Sequence, residues 1–498
     1  IIKMKFILLL AFVISFISKA FGEELVDGAG IAVHIRQEFF DNLKDSILKE
    51  FVKSIETGKL DDFVWSHDFA VANQTLFKVF LNMTNIQRHN FQLDTSTSFL
   101  KLTDTAPYLE LFISNFSMRS TFDFHFGTDP YFLDDFGQGY LNFEPTSLYL
   151  GYDIQNVNGK PQFVAREAVM NNTGLKIEMN GTADFSRVIS QMGSFLEDAV
   201  EHQINDYLLG IVGSGVTPLI NSALSNVYNT TYNISESLVA NFSSSVEPRF
   251  SESVMTLFFK GEVRPMNEDN VPFIDELNVP ATVNAEGKQL QVVISEFMFN
   301  SAIYSMFQAE YLNINTQDFN GSSIPINAST FFLIFPALAD KYAADDKIFF
   351  KAVAHDTTYK PYMRILDGIT TGYIDFDIEM FSDKETLFKL KANCLIEVDF
   401  IITKGFYLTV DMKMFRLRVR EILINNIDKD LDDRDIAAFF GLFSGFSRNY
   451  INKLVRDLKI NLPIGDNLDL DDVSMRGEDF YIYADITPRI SLFSPEEE

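Results

Sequence analysis

The sequence is poor in residues that staple, tether or catalyse. Its 498 residues hold one cysteine, Cys394, so no disulfide can close within the chain. Cys394 lies in the apolar run Ala392-Asn393-Cys394-Leu395-Ile396, which fits a buried, inert thiol. The six histidines, His34, His67, His89, His125, His202 and His355, are scattered singly, as structural histidines are. Basic residues are outnumbered, 41 Lys and Arg against 69 Asp and Glu, giving a net charge of −28. A chain this acidic is repelled at long range by nucleic acid and by anionic membrane surfaces, so no nucleic-acid partner is expected. There is no Gly-x-Ser-x-Gly elbow, His-Glu-x-x-His pair, phosphate-binding Gly-x-x-x-x-Gly-Lys loop or Gly-x-Gly-x-x-Gly fingerprint. No catalysis, cofactor or metal is expected. Asp428, Asp430, Asp432, Asp433 and Asp435 crowd one predicted helix start, where capping and the helix dipole explain them. The spacing lacks the glycine and terminal glutamate of a calcium loop.

Hydrophobic residues make up 47% of the chain, and phenylalanine alone numbers 50, which excludes disorder. The length exceeds one ordinary core, so two domains are expected. Met4-Lys5 and the apolar run Phe6 to Ile17 precede small residues at Ala20 and Gly22. That pattern predicts a signal peptide over residues 1–22, because the run falls short of the roughly 20 residues that span a bilayer. No later stretch reaches that length without charges, and the acidic tail, residues 491–498, does not resemble a lipid-anchor signal. A secreted or secretory-lumen protein is expected. Asn-X-Ser/Thr sequons at Asn73, Asn82, Asn115, Asn171, Asn180, Asn229, Asn233, Asn241, Asn320 and Asn327 agree with export and are the glycosylation candidates.

Along the chain, Gly30 to Ile35 predicts a strand, followed by a helix over about Gln37 to Glu56 with Phe40, Leu43, Ile47, Phe51 and Ile55 on one stripe. Asp61 to Phe69, with the single tryptophan Trp65, reads as a loop. From Val71 to Leu150 the period becomes two. Leu109, Leu111 and Ile113 share a face, then Phe116, Met118, Phe122, Phe124 and Phe126 take the opposite parity, as a β-bulge requires. Phe185 onward predicts a helix through Val188, Met192, Phe195, Leu196, Ala199 and Val200. Glycines and Pro218 interrupt it before a second apolar run, Leu219 to Val227. Ser253 to Val263 reads as a strand, and Arg264 to Pro280 as a proline-bearing linker. Gln289 to Ile294 is a strand leading into a helix that reaches about Tyr311. Ile374, Phe376, Ile378 and Met380 then alternate with Asp375, Asp377 and Glu379. Phe406, Leu408, Val410, Met412 and Met414 continue the alternation before Leu417 and Val419 switch parity. A Phe-rich helix over about Asp432 to Lys459, stopped at Leu462-Pro463, precedes a closing strand, Phe480 to Ile486.

Several of these pieces, in this order, resemble the family of bactericidal/permeability-increasing, lipopolysaccharide-binding, phospholipid-transfer and cholesteryl-ester-transfer proteins. They are Lys260-Gly261-Glu262 before a proline-bearing linker, Phe112-Ile113-Ser114-Asn115, Ser295-Glu296 with Asn300-Ser301-Ala302, Phe331-Phe332 with Phe335-Pro336 and Lys341-Tyr342, and Asn452 to Val455. The resemblance runs from about residue 28 to 487. It implies an α+β fold of two tandem bent antiparallel β-barrels, each wrapped with long helices. A central sheet and the linker would join them into a boomerang. The implied domains are an N-terminal lipid-binding barrel at 23–263, a linker at 264–280 and a C-terminal lipid-binding barrel at 281–490. Two departures stand out. The family's N-terminal disulfide is missing, and Asp129-Pro130 with Asp134-Asp135 occupy the hairpin where lipopolysaccharide binders carry basic residues.

The function so implied is sequestration or transfer of phospholipid or another amphiphilic lipid, without chemistry, by a monomer in transient contact with membranes or lipid particles. The lining candidates are Phe40, Leu43, Ile47, Val188, Met192, Phe195 and Leu196 in the first barrel, and Tyr304, Phe307, Phe332, Phe443, Phe446 and Tyr450 in the second. Taken singly each also fits plain core packing; the set is what points to a slot. Two rivals remain at this level. One is an adhesive or structural glycoprotein of the same fold without cavities, the other a lumenal hydrolase.

Overall fold

The computed structural model describes residues 25–57, 62–71, 74–157, 160–172, 174–181, 202, 216–218, 220–221, 231–269, 271, 278–281, 288–316, 327–355, 361–403, 407–427, 448, 452, 460–462 and 468–490. Over these the chain is mostly antiparallel β-sheet with few helices, and it divides into two compact units that interleave in sequence.

One unit takes the described residues within Arg36–Ser225 and Arg249–Met255. Its sheet runs β3 (Phe63–Val71), β4 (Gln74–Leu102), β5 (Leu109–Asp129), β6 (Asp134–Val157) and β7 (Lys160–Asn172), with β8 (Leu175–Gly181) against the first part of β6. The expected change of face in β5 is present. Leu109, Leu111 and Ile113 are buried, then Phe116, Met118, Phe122, Phe124 and Phe126. Asn115 stands at the change, exposed and with φ at 51°, where pairing to β4 and to β6 slips. Asn85 and Asn90, with φ of 53° and 51°, mark slips in β4. Asparagine tolerates this left-handed conformation better than other side chains, and each bulge adds local twist, so the long strands curl.

Helix α1 (Gln37–Thr57) lies on β4. Its stripe, Phe39, Phe40, Leu43, Ile47, Leu48, Phe51 and Ile55, is buried. The stretch around Trp65 corrects the sequence reading: it is the strand β3, not a loop. Ser66, His67 and Asp68 disguise it, although Phe63 is buried while Val64, Ser66 and Asp68 point to solvent. The backbone of β4 needs partners along this edge, and β3 supplies them.

The other unit takes the described residues within Ile1–Ile35, Asn226–Pro248 and Thr256–Arg489. One sheet has the order β11 (Ser244–Phe250), β12 (Val254–Phe259), β2 (Ile31–Arg36), β15 (Leu290–Ser295), β24 (Tyr481–Ile490) and β23 (Leu468–Glu478). At its centre β2 and β15 are antiparallel, with Val33 opposite Val292, and both are buried. Each of these two strands runs directly into a helix, β2 into α1 and β15 into α2 (Glu296–Gln308). A polar row crosses this apolar sheet. His34 Nδ1 lies 2.9 Å from Thr256 Oγ1, and Gln291 Nε2 donates to Asp485 Oδ1 at 2.6 Å. The stretch expected as one strand over Ser253 to Val263 is two, β12 and β13 (Glu262–Pro265), because Gly261 turns the chain at φ 60°. A Cβ there would come within 2.7 Å of Ile31 Cγ1, so only glycine fits. β13 pairs with β10 (Leu238–Asn241), which pairs with β9 (Thr231–Asn233), while β1 (Leu25–Asp27) pairs with β14 (Asn278–Pro280).

The second large sheet of this unit has the order β16 (Ile314–Asn315), β17 (Phe349–His355), β19 (Ile369–Phe381), β20 (Thr386–Thr403), β21 (Tyr407–Asn425) and β22 (Ile460–Asn461), with β18 (Tyr362–Leu366) also on β19. Ile374, Phe376, Ile378 and Met380 of β19 face the core as expected. The parity switch in β21 falls at Lys413, where Val398 pairs with Met412 but Glu397 with Met414. Phe415, Leu417 and Val419 beyond it rest against the core. That core also gathers Phe331, Phe335, Leu338 and Tyr342 from the short turns after Asn327.

Candidate functional site

Each unit pairs the apolar inner face of a curled sheet with a helix, and the candidate lining residues fall there. In the first unit, Gln37 opens α1 and fixes it to the sheet. Its Nε2 donates to Leu100 O at 2.7 Å, and its Oε1 accepts from Leu102 N at 2.9 Å. About four turns later Phe51 meets Phe91 and Phe116, with ring centroids at 6.2 and 6.1 Å. Further along the sheet Tyr152 packs edge-on against Phe163 at 6.5 Å. Burial pushes the Tyr152 hydroxyl up to about 12, so it stays neutral, and it meets Thr217 Oγ1 at 3.4 Å. Asn221 closes both backbone groups of Phe163: Oδ1 accepts from its N at 2.8 Å and Nδ2 donates to its O at 2.9 Å.

The second unit uses the same device. Asn452 Oδ1 accepts from Met412 N at 2.6 Å and its Nδ2 donates to Met412 O at 3.3 Å, while Arg448 Nε donates to the same carbonyl at 3.0 Å. These bonds satisfy backbone at the Lys413 bulge that would otherwise be orphaned. At the start of α2, Glu296 Oε1 accepts from Ile365 N, and Asn300 Oδ1 accepts from Met363 N at 2.6 Å. Ser301 and Ser305 on the opposite side bond the N and O of Val263 at 3.0 and 2.9 Å. Small hydroxyl side chains let helix and strand approach closely while pairing both backbone groups of Val263.

The lining candidates fall into three groups. Phe40, Leu43 and Ile47 are fully buried on the sheet side of α1. On α2 the set divides: Tyr304 packs with Phe297 and Val271, whereas Phe307 joins Phe332 against the core that includes Ile303 and Phe350. Val188, Met192, Phe195, Leu196, Phe443, Phe446 and Tyr450 lie outside the described residues, as does the aspartate group Asp428 to Asp435. Sequence reasoning missed Gln37, Asn221 and the Phe91 partner of Phe51. A polar residue opening an apolar stripe was the available signal for Gln37; nothing local marks Asn221.

Of the sequons, Asn115, Asn171, Asn180 and Asn233 are exposed, Asn82, Asn241 and Asn327 are half-buried, and Asn73, Asn229 and Asn320 fall outside the described residues. Among the described residues no group of three His, Cys, Asp or Glu side chains is placed to hold a metal, and no helix is long and apolar enough to cross a membrane.

Comparison with known proteins adds three findings. Residues 232–439 match the family model described as the LBP / BPI / CETP family, C-terminal domain. No curated protein sequence matches the chain. Among solved structures, lipopolysaccharide binding protein superposes with a TM-score of 0.55 at 17% identity, covering 93% of this chain and 99% of that one. P47 of Clostridium botulinum E1 covers 93% of this chain and 100% of its own at 11% identity, with a TM-score of 0.27. The first likeness is one of fold; the second is too distant to build on.

Proposed function

We propose, from the match of residues 232–439 to the C-terminal domain of the LBP/BPI/CETP family, that the protein is a carrier that holds phospholipid-like amphiphiles in apolar slots, one under the helices of each of two tandem barrels. The family points to lipid binding without catalysis. The single observation that carries the reading is the family match joined to an LBP-like fold over 93% of the chain. The physical requirement is severe. Each methylene withdrawn from water is worth roughly 0.8 kcal/mol, so a sixteen-carbon chain involves about 12 kcal/mol. A carrier must therefore rebuild the bilayer interior almost completely around the tails. Inner faces made of Phe, Leu, Ile and Met, with the backbone amides of Phe163 and Met412 bonded to side chains, are suited to that task. The lining would come from Phe40, Leu43, Ile47, Val188, Met192, Phe195 and Leu196 in one slot and Tyr304, Phe307, Phe332, Phe443, Phe446 and Tyr450 in the other. Headgroups would stay at the mouth, in water.

We assign the same protein to the secretory route, as a glycosylated monomer. Purification of the full chain from a eukaryotic secretory host, followed by solvent extraction and mass spectrometry, tests the carrier reading. The expected result is co-purifying diacyl lipid in near-stoichiometric amount, exchangeable for fluorescent phosphatidylcholine. Protein free of lipid that also takes up none would refute it, and would favour a cavity-less adhesive glycoprotein instead.

A further inference from the structure

In the sheet that carries β18 to β21 one face packs on the core and the other meets water. Pairing across the strands sets the rows of the solvent face. Leu366 stands opposite Ile369, Arg364 opposite Thr371, and Tyr362 opposite Tyr373. The row through Tyr373 continues to Leu395 and Arg416, and the next row pairs Asn393 with Arg418. Side chains two apart on a strand share a face, so these residues form one surface, with Ile365, Thr370 and Ile374 buried behind it. Ile369, Leu366 and Tyr373 are 50%, 42% and 39% exposed, and the rings of Tyr362 and Tyr373 stack at 4.9 Å. The hairpin that presents them is pinned. Asp367 and Gly368, with φ of 50° and 79°, make the two-residue turn whose twist suits paired strands. Asp367 N donates to Asp479 Oδ1 at 3.0 Å, and Phe480 N donates to Ile365 O at 3.0 Å. A surface held in this way loses little freedom when a partner covers it.

Charge on this surface runs against that of the chain. Arg420 pairs with Asp375 at 3.6 Å, and Lys391 with Glu421 at 3.5 Å. Arg364, Arg416 and Arg418 are exposed and have no carboxylate within ion-pair reach among the described residues. Glu397, opposite Thr371, is the acidic neighbour on the same face. We propose that this face docks a short acidic segment of a partner protein, one that carries aromatic or aliphatic anchors between its carboxylates. Tyrosine and arginine around an apolar centre are the residues that concentrate binding energy in protein interfaces. Guanidinium groups grip carboxylates through two parallel hydrogen bonds. Arg416 and Arg418 repeat at roughly 7 Å, the spacing of alternate carboxylates in an extended segment. The size of the anion separates a peptide from a larger surface. Charges are screened beyond about 8 Å at physiological salt, so a short segment senses the local arginines. A membrane or a nucleic acid spans far more of the chain and meets its net charge of −28. This docking goes beyond the carrier reading and does not rest on it, because it uses the face of the sheet turned away from the core.

Fluorescence anisotropy of the full chain with a labelled synthetic peptide, Glu-Asp-Phe-Asp-Leu-Glu, at physiological salt provides the test. The parent should bind it saturably. Exchanging its carboxylates for amides, or its Phe and Leu for Ser, should weaken binding roughly tenfold in each case. Combining Arg416→Gln with Arg418→Gln should cost roughly the same factor, and so should Tyr373→Ser. Lys347→Gln with Lys384→Gln, which removes as much charge from exposed lysines elsewhere in the unit, should bind like the parent. Thermal unfolding and co-purified lipid should not change in the arginine variant. The peptide series uses the parental chain alone, so it decides the matter if a variant folds poorly. Absence of saturable binding, equal affinity for the amide peptide, or parental affinity in a folded arginine variant would each overturn the proposal. So would a parental dimer that the arginine variant dissolves, or flotation with phosphatidylserine vesicles that depends on the same arginines.

Discussion

Cys394 shows how far one side chain's surroundings decide its chemistry. It sits on β20 between Ile374 of β19 and Leu417 of β21, 1% exposed. Burial pushes its thiol far above the ordinary cysteine range. The thiolate is the reactive form, so the folded protein should not react with a disulfide probe at pH 8, and the urea-unfolded protein should react fully. The linkage runs in a definite direction. Above about 8.5 the unfolded thiol loses its proton while the folded one keeps it, so the folded state binds more protons and stability falls as pH rises, by at most about 1.4 kcal/mol per pH unit from this group. Cys394→Ala should be less stable than the parent at pH 7 yet show a shallower decline between pH 8.5 and 10 in urea titrations. An equally steep decline would mean that the thiol is not the group responsible. Tyr149, raised to about 12 first by burial and then by its bond to Glu110, adds to the decline only at higher pH.

At the scale of the strand, parity carries the fold. In β5 the exposed Asn115 at the slip lets Leu111 and Ile113 before it, and Phe116 and Met118 after it, reach the same side of the sheet. Deleting Asn115 should therefore do more harm than most substitutions in the same strand. The register beyond the deletion would turn either the first or the second apolar series toward water. Loss of the cooperative thermal transition of this unit is expected for the deletion. Asn115→Gly, which keeps the backbone free to adopt φ near 51°, should stay within about 1 kcal/mol of the parent. A deletion variant that melts like the parent would show that the bulge is dispensable.

These strands are also where the sequence was most readable. Alternation over Ile374 to Met380 and the switches near Asn115 and Lys413 are written in residue type, because one face meets the core and the other meets water. Trp65 was misread because β3 carries Ser, His and Asp in series, and its strand state is imposed by the unpaired edge of β4. Gly261 hid its turn, since a glycine inside an apolar run does not announce the Ile31 side chain that crowds it. The candidate site was legible only as stripes. That Phe307 and Tyr304 of α2 pack into different clusters depends on what crosses the helix from elsewhere in the chain. So does the grip of Asn221 on Phe163.

For the whole molecule the dominant electrostatic fact is excess negative charge, −28 with a sequence pI near 4.6. Among the described residues, ion pairs such as Lys384 with Asp346 at 3.1 Å and Lys413 with Asp399 and Asp411 at 3.1 and 3.0 Å lie largely at the surface. Surface pairs of this kind are worth at most about 1 kcal/mol each and weaken in salt. Repulsion among the remaining carboxylates acts over distances comparable with the Debye length, about 10 Å at 0.1 M salt, and it opposes the compact state. The two effects respond to salt in opposite directions, and with 69 acidic against 41 basic residues the repulsion is the larger. Sodium chloride raised from low concentration to the physiological range should therefore raise the thermal midpoint, by about 2–4 °C if screening recovers 1 kcal/mol in a chain of this size. Differential scanning calorimetry across a salt series reads the effect. A midpoint that falls with salt would mean that specific ion pairs, rather than net repulsion, govern the stability of this acidic chain.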